Sequence, residues 1–128
     1  MPDRLDGETG MDEVVIWHNP RCSKSREAMA WLAGGGIVPK VRDYLGEPPS
    51  PAEVALLLGR LGGDPRRLVR FKETLAGELG LSAGDDRPAT EWAALLATHP
   101  KLIERPVLVV GERAAIGRPL QALEPLLD

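Results

Sequence analysis

The stretch Val14-Val15-Ile16-Trp17-His18-Asn19-Pro20-Arg21-Cys22-Ser23-Lys24-Ser25-Arg26 decides the fold. Its first four residues are β-branched or aromatic, the composition of a short buried strand, and Asn19-Pro20 supplies the turn residues that end the strand at His18. From Ser23 the sequence turns helical, with Ala28, Met29, Trp31 and Leu32 on one apolar face, until Gly34-Gly35-Gly36 stops it. That triple glycine follows a helix, whereas a phosphate-cradling glycine loop lies between a strand and the helix it opens. Val38 to Tyr44 alternates weakly and reads as a second strand. Strand, helix and strand in this order make a β-α-β unit with parallel strands and a right-handed crossover, so the fold class is α/β.

Outward from that unit the signals stay local. Pro48-Pro49-Ser50-Pro51 ends one segment and starts a helix, with Ser50 as N-cap, Pro51 at the first helical position and Glu53 three residues after the cap; the helix runs to about Leu61. Asp64 caps a piece from Pro65 to about Arg70, a second piece lies around Glu73 to Leu79, and a third spans Thr90 to Thr98. Val107-Leu108-Val109-Val110 and Arg113-Ala114-Ala115-Ile116 flank the short turn at Gly111-Glu112 and predict a β-hairpin. A final helix begins near Pro119 and carries Leu120, Leu123, Leu126 and Leu127. The order β-α-β, helical block, β-β, α fits a thioredoxin-like four-stranded mixed sheet flanked by helices. The helical block, about residues 50–100, is an insertion in that pattern.

The chain has 128 residues, enough for one domain with a real core, and we assign that domain to residues 13–128. Residues 1–12 lack apolar periodicity and carry Gly7 and Gly10, which predicts a flexible leader. The net charge of −3 gives no bulk basic field for nucleic acid, and apolar runs are interrupted well before the roughly 20 residues a membrane span needs. The N-terminus is polar and acidic where a signal peptide needs a basic start and an apolar middle, so a cytoplasmic location is expected. Cys22 is the single cysteine; in a reducing compartment it is a free thiol, and any redox cycle has to borrow a second thiol from elsewhere.

The cysteine loop carries the chemistry. Cys22 falls at a helix N-terminus, where unpaired N–H groups and the helix dipole favour thiolate over thiol. Arg21, Lys24 and Arg26 add positive charge, so the loop suits an anion as well. His18, four residues before Cys22, is near enough to hydrogen-bond the thiolate or to pair with it as an imidazolium. Ser23 and Ser25 can donate hydroxyl hydrogen bonds to sulfur or to a bound oxyanion. The competing reading is a small buried cysteine, the commoner fate of a lone thiol, but its basic, polar neighbours at a strand-to-helix junction favour a reactive one. One Cys and one His lack the further ligands of a structural zinc, and His99 before Pro100 reads as a helix-end residue, so no metal is expected.

Four segments together carry a family resemblance: His18-Asn19-Pro20-Arg21-Cys22-Ser23-Lys24-Ser25-Arg26, Tyr44-Leu45-Gly46-Glu47-Pro48-Pro49, His99-Pro100-Lys101-Leu102-Ile103-Glu104-Arg105-Pro106 and Gly117-Arg118-Pro119. In order and without large gaps over about residues 14–127, the chain resembles the glutaredoxin-dependent arsenate reductases. The resemblance implies a thioredoxin-like fold in which a cysteine thiolate attacks arsenate held by arginines. Glutathione, as co-substrate, and glutaredoxin then supply the missing thiols, and no cofactor is bound. The family's His-x3-Cys-x3-Arg loop falls on His18, Cys22 and Arg26, with Ser25 also in its pattern, and its oxyanion-binding arginines fall on Arg70, Arg105 and Arg118. It also implies a cis proline at Pro106, facing the cysteine loop. From the residues alone, Arg66, Arg67 and Arg70 share helical spacing and read as a solvated face, and Arg118 reads as an exposed helix-entry residue.

Lys24 departs from the pattern, because the best-known members have small neutral residues between the cysteine and the Ser-Arg pair. Two other functions therefore stay open. One is a regulator of the same fold that binds RNA polymerase; such relatives commonly carry a Cys-x-x-Cys switch, whose second position here is Ser25. The other is a glutathione-linked thiol oxidoreductase acting on disulfides or another anion.

Overall fold

The structure, a computed structural model, describes residues 13–127. The leader expected over residues 1–12 lies outside the described residues. Strand β1 (Val14–Trp17), helix α1 (Ser23–Gly34) and strand β2 (Lys40–Arg42) form the β-α-β unit, with β1 and β2 parallel and Ile16 opposite Val41. Strands β3 (Val107–Val110) and β4 (Arg113–Ile116) form the antiparallel hairpin, turning at Gly111, whose φ of 61° is one that side chains with a Cβ rarely adopt. The sheet order is β2-β1-β3-β4, with β1 antiparallel to β3. The fold is thioredoxin-like.

Both faces of this sheet are covered, which is why its two central strands read as continuous apolar runs. Successive side chains point to opposite faces. Trp17, Val107 and Val109 face a core built with helix α2 (Pro51–Leu61) and helix α4 (Ala89–Thr98), containing Tyr44, Leu57, Trp92 and Leu96. Ile16, Leu108 and Val110 face a second core with Ala28 and Leu32 of α1 and Leu123 and Leu126 of the C-terminal segment. Helix α3 (Thr74–Glu78) and two 3-10 turns, Pro65–Leu68 and Pro100–Leu102, complete the block between the sheet halves. Among the described residues no helix is long and apolar enough to cross a membrane.

Local signals placed several boundaries well. Ser50 accepts a hydrogen bond from the Glu53 amide at 3.1 Å, with Pro51 next in line. The Glu53 carboxylate, free of capping work, grips Arg42 through two hydrogen bonds of 2.8 and 3.0 Å and ties α2 to β2. Three elements differ from expectation. Strand β2 is only Lys40–Arg42: Pro39 has no N–H to give the ladder, Val38 is 94% exposed, and Asp43 turns the chain by accepting from the Gly46 and Glu47 amides. The piece after Asp64 stops at Leu68, because Val69 pairs with Ile103 and the Arg70 amide donates to the Leu102 carbonyl at 2.8 Å. The last segment, Leu120–Leu127, is a 3-10 rather than an α-helix; Pro125 inside it offers no amide for an α-type bond.

Candidate active site

The loop between β1 and α1 is wound around the first helical turn by its own polar groups. The His18 amide donates to the Arg42 carbonyl at 3.1 Å, fixing the loop's start to β2. Asn19 accepts the Arg21 amide on its side chain at 3.0 Å and the Cys22 amide on its carbonyl at 2.9 Å, an Asx-type turn that delivers Cys22 to the N-cap. The Asn19 amide in turn donates to Ser25 Oγ at 3.3 Å, and Arg26 Nη1 donates to the Pro20 carbonyl at 2.9 Å. Ser25 is fully buried. Its hydroxyl therefore holds the loop, while its backbone amide, with that of Lys24, acts on the sulfur electrostatically without closing a cap hydrogen bond.

Burial would raise the Cys22 thiol, but the Ser25 amide, the Arg105 side chain and the Lys24 amide outweigh it and bring the pKa from an ordinary 9.0 down to about 7. A second guanidinium stands close by: Arg118 Nη2 lies 3.8 Å from Cys22 Sγ. Arg118 is held there by its Nε, which donates to the Arg105 carbonyl at 2.7 Å and lies 3.2 Å from Glu104 Oε1. Both arginines precede prolines in cis peptide bonds, Arg105–Pro106 and Arg118–Pro119. The expected cis Pro106 is thus present.

Arg70 joins this group from the inserted block. It is paired with Glu73, and its Nε lies 3.6 Å from Glu104, so Glu104 stands between Arg70 and Arg118. A recess of about 410 Å³ carries Arg70, Phe71, Lys72, Glu104 and Arg118 on its walls. Arg70 owes this position to the Val69–Ile103 bridge, which takes it off the helical face that its spacing with Arg66 and Arg67 suggested. Arg105 Nε is buried without a hydrogen-bond partner, a donor at the site still lacking an acceptor.

The structure thus brings Cys22, Arg105 and Arg118 together, with Arg70 linked through Glu104. His18 and Arg26 sit differently. Arg26 turns to the Pro20 carbonyl. His18 has a buried Nδ1 without a partner, and burial lowers its pKa against the opposing pull of Asp43, with Arg26 lowering it further. The ring is therefore neutral near pH 7, and the positive charge facing the thiolate comes from arginine. Two residues at the site received no role from the sequence. One is Glu104, whose place beside Arg105 in the chain was the available signal. The other is Tyr44, fully buried, its phenol pushed up to about 12 by burial while Arg105 and Arg70 pull the other way. Among the described residues no group of three or more His, Cys, Asp or Glu side chains is placed to hold a metal ion.

The thioredoxin-like sheet sets Cys22 at a helix N-terminus beside Arg105 and Arg118, with Arg70 linked through Glu104, an arrangement chemically able to hold an anion against a thiolate. The model of the ArsC family matches residues 17–125, and the chain belongs to that family. It is 43% identical over 121 residues to an arsenate reductase of Neisseria meningitidis, covering 91% of this chain and all of that one. It is 39% identical over 115 residues to an arsenate reductase of Haemophilus influenzae, covering 89% of this chain and 98% of that protein. The solved structure of an arsenate reductase from Vibrio cholerae superposes with a TM-score of 0.77 at 44% identity, covering 88% of this chain and 97% of its own.

Proposed function

We propose that this chain reduces arsenate to arsenite through a covalent adduct on Cys22, with glutathione and glutaredoxin as the external thiols. The observation that carries the reading is a thiol brought to about pH 7 and faced by the guanidiniums of Arg105 and Arg118. At neutral pH roughly half of such a thiol is thiolate, against about 1% at the ordinary value, so the nucleophile is ready where the anion arrives. Arg70, Arg105 and Arg118 bind the oxyanion through charge-assisted hydrogen bonds, and arginine's planar donors suit a tetrahedral anion. His18, Ser25 and Arg26 keep the loop in the shape that exposes the sulfur to the helix amides.

Sulfur attack forms an S–As bond and expels one arsenate oxygen as water. Cys22 alone cannot supply the electron pair that takes arsenic from the +5 to the +3 state, since one cysteine has no partner within the chain. Two external thiols close the balance: they are oxidised to one disulfide, arsenic takes the two electrons, arsenite leaves, and Cys22 returns as a thiol. We place the reaction in the cytoplasm, where such thiols are kept reduced. NADPH consumption in the presence of arsenate, glutathione, glutaredoxin and glutathione reductase tests the proposal. Turnover that vanishes in Cys22→Ser is the expected result; a wild-type rate no higher than that control overturns it.

A further inference from the structure

Lys24 is the loop cation for which the proposed chemistry has no use. Its side chain pairs with Glu27, with Nζ 3.7 Å from Oε1 and both side chains 55% exposed. Together they form one wall of a recess of about 360 Å³ whose other walls are Arg118, Gln121 and the turn from Gly117 to Leu120. The recess carrying Arg70 and Glu104 shares only Arg118 with it. Arg118, the residue common to both recesses, links each of them to the sulfur, its Nη2 lying 3.8 Å from Cys22 Sγ. One can hold an oxyanion while the other holds a second reactant.

The chemistry of the second recess is mixed in sign. It offers a primary ammonium at Lys24, a guanidinium at Arg118, a carboxylate at Glu27 and an amide at Gln121. A simple oxyanion would be repelled by Glu27 and has no use for Gln121. A peptide-like zwitterion bearing carboxylates, an ammonium and amide groups satisfies all four, and the volume lies in the range of about 300 to 1,000 Å³ typical of small-molecule sites. The reductive half of the reaction requires a small thiol to reach the Cys22 adduct.

We propose that this recess is the docking site for glutathione, with Lys24 and Arg118 taking its carboxylates, Glu27 its α-ammonium and Gln121 an amide, so that its thiol is aimed at the arsenic held on Cys22. The inference rests on the proposed thiol-coupled function. It gives a role to a cation of the cysteine loop that pairs with Glu27 and lines the recess.

The test uses the unreactive analogue S-methylglutathione, titrated into the reduced full-length protein without arsenate and followed by backbone amide shifts. Shifts centred on Lys24, Glu27, Gly117 and Gln121 are expected. Lys24→Glu should weaken binding about tenfold, the consequence of turning an exposed attraction into a repulsion. The fold is not at risk, since an acidic residue in the first turn of α1 suits the helix dipole. The glycine ethyl ester of the analogue, which lacks one carboxylate, should bind the wild type more weakly but Lys24→Glu no worse than the parent compound. Absence of binding, shifts centred elsewhere, or an unchanged constant in Lys24→Glu overturns the site. Since arsenate is absent, a protein that binds the analogue here but fails to reduce arsenate refutes the substrate and supports the recess.

Discussion

Replacing Arg105 by alanine tests the electrostatics of the site most directly. In the wild type the Cys22 thiol titrates at about 7, with burial opposing and the Ser25 amide, Arg105 and the Lys24 amide favouring the thiolate. Arg105→Ala leaves burial and both amides in place, so the midpoint should move only part of the way back toward 9.0. A midpoint near 8 would lower the thiolate fraction at pH 7 from about one half to about one tenth. The more basic thiolate is also intrinsically more nucleophilic, by about 2.5-fold for that change, so alkylation by iodoacetamide at pH 7 should slow only about twofold. At pH 9.5, where both thiols are ionised, the variant should react about 2.5-fold faster. Two pH–rate profiles that cross are therefore expected, and they are read by stopped alkylation and mass spectrometry across pH 5 to 10. A midpoint unchanged from wild type would refute the role of Arg105. A midpoint at or above the ordinary thiol value would refute the role of the helix amides. Arg26→Ala, whose guanidinium bonds the Pro20 carbonyl, should move the midpoint far less.

Three further outcomes follow from the same geometry. The folded-state pKa of Cys22 is depressed, so its thiolate stabilises the fold fully above pH 9 and progressively less as pH falls through about 7; the stability gap between wild type and Cys22→Ser, measured by urea unfolding, should widen from pH 6.5 to 9.5, and a flat gap would contradict this. A Cβ at Gly117 would meet Pro106 Cγ at 3.0 Å and Leu123 Cδ1 at 3.1 Å, so Gly117→Ala should cost about 1–3 kcal/mol in urea unfolding and raise the KM for arsenate by displacing Arg118, whereas unchanged values of both would show that the turn yields freely. Glu104→Gln keeps the shape but removes the charge that competes for Arg70 and Arg118, so inorganic phosphate should bind about two- to fivefold more tightly by calorimetry; weaker binding would show instead that the carboxylate is needed to hold the two arginines in place.

What was legible in the sequence was what local chemistry decides. The Ser50-Pro51 helix start, the Gly111 turn and the placing of Cys22 at the head of α1 each depend on residues a few positions apart, and each stands where it was expected. The resemblance then supplied the three arginines that local reading gave no reason to group. The parts that escaped depend on distant partners. Strand β2 is short because Pro39 and Asp43 act at its two ends, which weak alternation over Val38 to Tyr44 concealed. Arg70 reads as a surface residue until Val69 pairs with Ile103, a contact across 34 positions that no helical spacing can report. Ser25 was a candidate hydroxyl donor to sulfur, yet its hydroxyl serves the Asn19 amide and its own amide serves the sulfur.

Glu104 shows why the site depends on that long-range arrangement. Its backbone amide donates to the Leu68 carbonyl at 2.7 Å, which locks the segment before β3 to the inserted block. Its carboxylate, directed from that fixed backbone, reaches Arg70 of the block and Arg118 beyond β4. An arginine cluster without a substrate repels itself, and a carboxylate among the guanidiniums offsets that repulsion while the site is empty. On the proposed function an oxyanion would have to compete with Glu104 for Arg70 and Arg118, whereas the buried Nε of Arg105 has no hydrogen-bond partner to give up. With the oxyanion beside Arg105 and the sulfur, that competition for Arg118 and Arg70 would hold the attacked atom against Cys22.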